Sequence, residues 1–280
     1  MFGYVILHYQ NIEITINCVE HIINRFPHSH VVIVDNFSPN KSGEQLKERY
    51  RTSEMIQVVL NNQNDGFAKG NNIGFEYIKS KYDLDYLVVM NNDIIIDDFE
   101  FENKIKSFMN EYQVDVCGPD IVTLNKNHQN PLVLSPFSNS FLKKRIFVDT
   151  IKTYFLKSDL VFNWYSQYKE KNRPKPRSKP NKAFNCILHG SCVVYSKKYI
   201  SRENFAFLPI TFMYNEEAIL YDYLEYRGYQ TGYCDETTIT HLEGAATSTS
   251  IKDTKEKVLF RFKHNTESLK KQLLEREKYK

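Results

Sequence analysis

The first 124 residues alternate short, continuous aliphatic runs with amphipathic stretches, and no other feature restricts the fold as strongly. The runs "YVILHY", "HVVIVD", "IQVVL" and "YLVVM" are too short for buried helices and too uniformly apolar for strands with one wet face. Between them, "IEITINCVEHIINRF" places Ile14, Cys18, Ile22 and Phe26 four residues apart, the spacing of one helical face. "SGEQLKERYR" reads as a short helix, and a third is expected around residues 70–80. Strands buried on both faces and separated by helices predict an α/β fold: a Rossmann-like, mainly parallel central sheet with helices on both faces. Ligands of such sheets bind beyond the C-terminal ends of the strands.

Three polar clusters fall at those ends: Asp35-Asn36, Asn64-Asp65 and Asn91-Asn92-Asp93. Each alone is ordinary turn chemistry. Together at one edge they point to a binding site, because an unpaired buried polar group costs about 1–3 kcal/mol and needs a partner. The knot at 91–93 offers oxygen ligands of the kind that hard cations prefer.

After "VDVCGPDIVTL" the alternation is lost. Residues 141–182 mix Lys and Arg with Phe, Tyr and Trp, a composition that fits a lid or an element facing an anionic membrane surface. Within them "KEKNRPKPRSKPNK" has no apolar periodicity and is expected to be a mobile loop. Further on, Ile219, Leu220, Tyr223 and Leu224 mark a helix that stops at Gly228, with Glu216 and Glu217 in its first turn. The last residues form a charged, weakly amphipathic helix, compatible with pairing two subunits or touching a membrane.

Composition excludes several classes. The five cysteines stand singly, which argues against a disulfide framework or zinc site and fits a reducing cytoplasm. No run approaches the ~20 apolar residues of a membrane span. A dinucleotide oxidoreductase is excluded because "HYQNIE", after the first strand, contains no glycine. No nucleic-acid-binding motif accompanies the basic stretch, so no nucleic acid is expected as a partner.

In order along the chain, "VIVDNFSPN", "NNQNDGFAKGNNIGF", "VVMNND", "HGSCVVYSKKYI", "FMYNEEAILYDYLEYRGY" and "THLEGAATS" resemble the motifs of the inverting glycosyltransferases of family 2. The likeness is to bacterial capsule, O-antigen and rhamnosyl-type enzymes. It implies the GT-A fold, a UDP- or dTDP-linked sugar donor, a divalent ion (Mn2+ or Mg2+), and a glycan or lipid-diphosphate-linked acceptor hydroxyl. Asp93 fills the family's metal-binding position, with Asn91 where the first aspartate stands, and His241 matches a metal-binding histidine. By the same resemblance Asp35 and Asn36 read base and ribose, and Asn64 and Lys69 close over the nucleoside. Asn91 and Asn92 complete the donor-binding set. Glu217 stands where the catalytic aspartate usually is, with Glu216 as the alternative base. His189 has no counterpart and is expected to be structural or near the acceptor. The departures at Asn91 and Glu217 leave a second reading open, a non-catalytic sugar-nucleotide or glycan-binding module on the same fold.

The expected organisation is a GT-A domain over residues 1–250. It comprises a nucleotide-binding half (1–124), a basic and aromatic insertion (125–185) and an acceptor and catalytic half (186–250). A C-terminal helix spans 251–280. A cytoplasmic location at the inner membrane face is expected, with homodimerisation through the last helix compatible with its composition.

Overall fold

The computed structural model describes residues 1–242 and 254–279. The elements in order are β1 (Phe2–His8), α1 (Ile12–Arg25), β2 (His30–Asp35), α2 (Ser42–Arg49), β3 (Ile56–Leu60), α3 (Gly66–Lys81), β4 (Tyr86–Asn91) and β5 (Ile94–Ile95). They continue with α4 (Phe101–Glu111), β6 (Val116–Thr123), α5 (Asn139–Phe155), α6 (Asp159–Lys171), β7 (Ala183–Phe184) and β8 (Cys192–Ser196). Last come α7 (Lys197–Arg202), α8 (Glu216–Tyr226), β9 (Thr231–His241) and α9 (Lys255–Glu277).

The strands form one sheet in the order β3-β2-β1-β4-β8-β6-β9-β5, with β7 paired to β9. The half read from the alternation is parallel throughout: β3 with β2, β2 with β1, β1 with β4. Beyond β4 the sheet is mixed, because β8 runs antiparallel to both β4 and β6. The expected helices on both faces are present. One core packs α1, α2 and α4 against the sheet through Cys18, Ile22, Leu46, Ile105 and Phe108. The other packs α3, α7 and α8 through Phe75, Ile78, Tyr199, Ile219 and Leu224. Val31 to Val34 of β2 are wholly buried, each contributing roughly 1.5–3 kcal/mol of transfer free energy.

Local signals account for several boundaries. α1 begins where the Asn11 side chain accepts from Ile14 N, and its Cys18, Val19 and Ile22 line the buried face. α8 ends before Gly228, whose φ of +71° favours glycine.

The aromatic insertion, where the alternation is lost, contains two regular helices, α5 and α6. Their periodicity is hard to read because their apolar residues fall on more than one face. The segment 172–182 has no regular structure, yet it is tied down. Arg177 N donates to Asn127 Oδ1, its guanidinium to Pro131 O, and it accepts from His128 N. Lys179 reaches Thr238 and Asp120, and Lys182 reaches Tyr112 and Asp235. Proline and lysine content indicated mobility; non-local polar contacts override it.

Candidate active site

Strand register brings the singled-out residues to one edge. His8 pairs with Asp35, Asp35 with Leu60 and Leu7 with Asn91, so β1 to β4 end level with one another. β9 ends at the same edge, with His241 opposite Thr123 of β6 and Ile94 of β5.

On the β2 side, the buried Asp35 carboxylate accepts from Ser38 N and Ser38 Oγ, 3.9 Å from His8 Nε2. Asn36 is also buried, and its amide is fully used. It donates to Asn64 Oδ1 and Gly66 O, both at 3.1 Å, and accepts from Asn61 Nδ2 and Asp65 N. That leaves it no free donor or acceptor for a base or ribose; its geometry is that of a bracket holding loop 61–66. Asn64 is exposed and also accepts from Gly66 N. Gly66 has φ +78°, and a Cβ there would lie 2.0 Å from Phe212 O, so the loop approaches residues 209–215 as only glycine allows. Lys69 follows, exposed in the first turn of α3.

At the end of β4, Asn91 N donates to Ser191 O, and Asn92 Nδ2 donates to Thr15 Oγ1 at 2.8 Å. Asp93 Oδ1 is buried without a hydrogen-bond partner, although His241 Nε2 lies 3.2 Å away. The reason lies on the far side of the ring. His241 Nδ1 is 2.7 Å from Gln129 Oε1, and in the neutral tautomer that donates there the Nε2 lone pair faces Asp93. In that tautomer a cation between the two atoms satisfies both, and carboxylate oxygen with imidazole nitrogen suits a divalent ion. The residues therefore fit a metal. Among the described residues no third His, Cys, Asp or Glu joins the pair. Donor phosphate oxygens and water would supply the remaining positions.

The turn at 189–191 connects this pair to the carboxylates of α8. The His189 ring packs edge-on against His241 with centroids 6.0 Å apart. Its Nδ1 accepts from Ser191 N and lies 2.9 Å from Ser191 Oγ, and its backbone N–H donates to the buried Asn130 Oδ1. Burial, with His241 beside it, lowers its pKa to about 4, which keeps the ring neutral. Gly190 N donates to Glu217 Oε1 at 3.2 Å.

Glu216 and Glu217 divide the first turn of α8. Glu216 is buried and accepts from Thr211 Oγ1 at 2.9 Å; burial, then the neighbouring Glu217, raises its pKa to about 7. Glu217 is half-buried against the 189–191 turn, and burial raises its pKa as well. Both carboxylates are launched from strained backbone, because Tyr214 and Asn215 have φ of 72° and 68°. That strain is held by α9: Asn215 Nδ2 donates to Gln272 Oε1, and Ser268 Oγ to Met213 O.

All ten candidate residues thus belong to one edge or to the loops around it. Of "THLEGAATS", residues 243 to 248 lie outside the described residues. Reasoning from the sequence missed Gln129, which sits in an irregular stretch with no local signal, and Gly190, whose role depends on a side chain 27 residues away.

Known proteins resemble this chain in sequence and in fold. A curated relative, dTDP-rhamnosyl transferase RfbF of Shigella flexneri, is 26% identical over 129 residues, covering 46% of this chain and 41% of that protein. The chain thus matches less than half the length of that relative. Among solved structures, S. aureus TarS 1-349 in complex with UDP superposes with a TM-score of 0.55 at 11% identity, covering 93% of this chain and 70% of that one. GalNAc-T7 with UDP, GalNAc and Mn2+ gives a TM-score of 0.58 at 13% identity over 86% of this chain and 44% of that one. At such identities these two speak for the fold alone, which is of the GT-A type. The family described as "Glycosyl transferase family 2" matches residues 4–198, well over half of the chain and including the polar ends of β2 and β4. With motif order, fold and profile in agreement, the chain belongs to glycosyl transferase family 2.

Proposed function

We propose that the protein is an inverting glycosyltransferase. It moves a sugar from a UDP- or dTDP-linked donor to a hydroxyl of a glycan or lipid-linked acceptor in surface-polysaccharide synthesis. One observation carries the reading: Asp93 Oδ1, buried and without a hydrogen-bond partner, lies 3.2 Å from His241 Nε2. Such an arrangement is costly unless a cation completes it.

In this assignment Asp35 accepts the N3 hydrogen of uracil or thymine, a group the two rings share. Asn64 and Lys69 cover the nucleoside, while Asn36 serves by holding their loop in place. Asn91 and Asn92 border the donor phosphates. Asp93 and His241 would hold Mn2+ or Mg2+, which when bound neutralises the charge developing on the departing diphosphate. Glu217 takes the proton from the acceptor hydroxyl as its oxygen bonds to the anomeric carbon and the bond to the diphosphate breaks. A carboxylate with a pKa raised towards neutrality is a more effective base than an ordinary one. Glu216, enclosed with Thr211, supports the turn from behind. Residues 1–124 then bind the nucleotide and 186–250 supply acceptor contacts and base. The relatives favour this reading: RfbF is a dTDP-rhamnosyl transferase, and GalNAc-T7 was solved with UDP, GalNAc and Mn2+.

The test is calorimetric titration with UDP and with dTDP, each with and without Mn2+, on the wild type and on Asp93→Ala. Binding that needs the metal and disappears in Asp93→Ala is the expected result. Sugar transfer by Glu217→Gln should then fall by about 10²–10⁴-fold with nucleotide binding retained. If neither nucleotide binds under any condition, the transferase reading fails and the non-catalytic module takes its place.

A further inference from the structure

α5 and α6 carry amphipathic patterns whose apolar stripes face outward. On α5, Phe147, Ile151, Tyr154 and Phe155 recur at i, i+4, i+7 and i+8, and all four are exposed, Phe147 at 66% and Tyr154 at 72%. The opposite face, with Leu142 and Asp149 buried, packs on α9, where Asp149 accepts from Arg145 Nε and Asn265 Nδ2. On α6, Leu160, Trp164 and Tyr168 recur at i, i+4 and i+8, with Leu160 84% and Trp164 65% exposed. The Trp164 and Tyr168 rings stack on one another at 5.7 Å. α6 has no buried residue at all. Its inner side meets α9 through half-buried Val161, Phe162 and Tyr165 beside Leu156, Val258 and Phe262. Side chains of this size, repeated along two successive helices and exposed to water, form apolar surface that needs a partner.

Charge says which partner. Residues 141–171, which hold the two helices and the turn between them, carry seven Lys or Arg against three Asp or Glu, a surplus of four in a chain whose net charge is +3, so the remainder of the chain sums to −1. The α5 stripe begins beside Lys143 and Lys144, Lys157 sits in the turn between the helices, and Lys171 ends the α6 stripe. Aromatic and aliphatic stripes edged by lysines match a bilayer interface, where apolar groups enter the headgroup boundary and ammonium groups meet anionic lipid.

We propose that the outward faces of α5 and α6 dock the protein on an anionic lipid surface. Docking there would hold α8 near the bilayer, because α5 packs on α9 and α9 grips α8 through Arg276 and Asp222. The inference does not depend on the transferase reading, since lipid binding needs neither donor nor metal.

Trp164 is the only tryptophan in the chain and sits in the stripe, so the unmodified protein reports its own docking. Its emission is followed during titration with vesicles of phosphatidylcholine alone and of phosphatidylcholine mixed with phosphatidylglycerol, with flotation as the second readout. The expected result is a blue shift, quenching by brominated acyl chains and co-flotation with the anionic vesicles only, reversed by high salt. Lys143→Ser, Lys144→Ser and Lys157→Ser should each weaken binding roughly fivefold. The double variant Phe155→Ser/Leu160→Ser should lose the blue shift with its melting temperature unchanged. No shift and no flotation with anionic vesicles overturns the proposal, as does equal binding to neutral vesicles. A shift that tracks protein concentration without lipid also overturns it, and assigns the face to a second copy of the chain.

Discussion

Gly190 donates its backbone N–H to Glu217 Oε1 at 3.2 Å, and a Cβ at Gly190 would stand 2.9 Å from the same oxygen. The carboxylate is therefore positioned by a residue that offers a donor and takes up no space. The flanking residues of this turn face the other half of the site: His189 packs on His241, and Ser191 O receives Asn91 N. One tripeptide thus spaces the carboxylate of α8 from the polar end of β4.

Gly190→Ala should fold normally and act poorly. The atom met by the new methyl is the end of a flexible side chain, so Glu217 swings aside at little cost to stability. A base misplaced by ~1 Å can cost on the order of 10²-fold in turnover. Unchanged thermal unfolding with kcat reduced to that extent is the expected outcome; unchanged kcat would show that Glu217 needs no placement by this turn.

Gln129→Leu should weaken metal binding without touching a ligand. With the Nδ1 acceptor gone, His241 is free to take the other tautomer and turn its protonated nitrogen towards Asp93. Loss of such an orienting partner typically costs 10–100-fold in metal affinity. Mn2+ titration in the presence of UDP measures it, and Gln129→Glu, which keeps an acceptor, should restore binding.

Glu216 should make stability depend on pH. Its pKa is about 7 in the folded protein against an ordinary 4.5, so between those values the folded state keeps a proton that the unfolded state has released. Stability from this group therefore falls as pH rises through the window and levels off above it. The full effect is at most on the order of 3 kcal/mol. Glu216→Gln removes the dependence. The difference between variant and wild type in urea unfolding should grow from pH 4.5 to 7 and then stay constant.

Arg276→Ala should destabilise the protein by about 3–5 kcal/mol, the range for breaking a buried ion pair from one side. The Arg276 guanidinium donates twice to Asp222, both at 2.7 Å, and the two side chains are 15% and 8% exposed. Without it Asp222 keeps only the donor from Gln272 among the described side chains. Chemical denaturation measures the loss. A change below 1 kcal/mol would mean that water replaces the guanidinium readily.

The parallel half of the sheet and its polar edge can be read directly from the chain. Strand and helix periods are local properties, and β1 to β4 repeat them in order. The polar residues that follow each apolar run must then lie at one edge, which is why Asp35, Asn64 and Asp93 could be named as candidates. What three-dimensional packing decided is which of them retain unmet valence. Asn36 and Asp93 look alike as residues after a buried strand, yet Asn36 is saturated by Asn61, Asn64, Asp65 and Gly66, while Asp93 Oδ1 is left facing His241. Insertion of β8 between β4 and β6 likewise came from long-range pairing, and it brings the 189–191 turn to the site. Hydrogen-bond satisfaction depends on neighbours distant in the chain, such as Gln129 for His241, and periodicity carries no record of them.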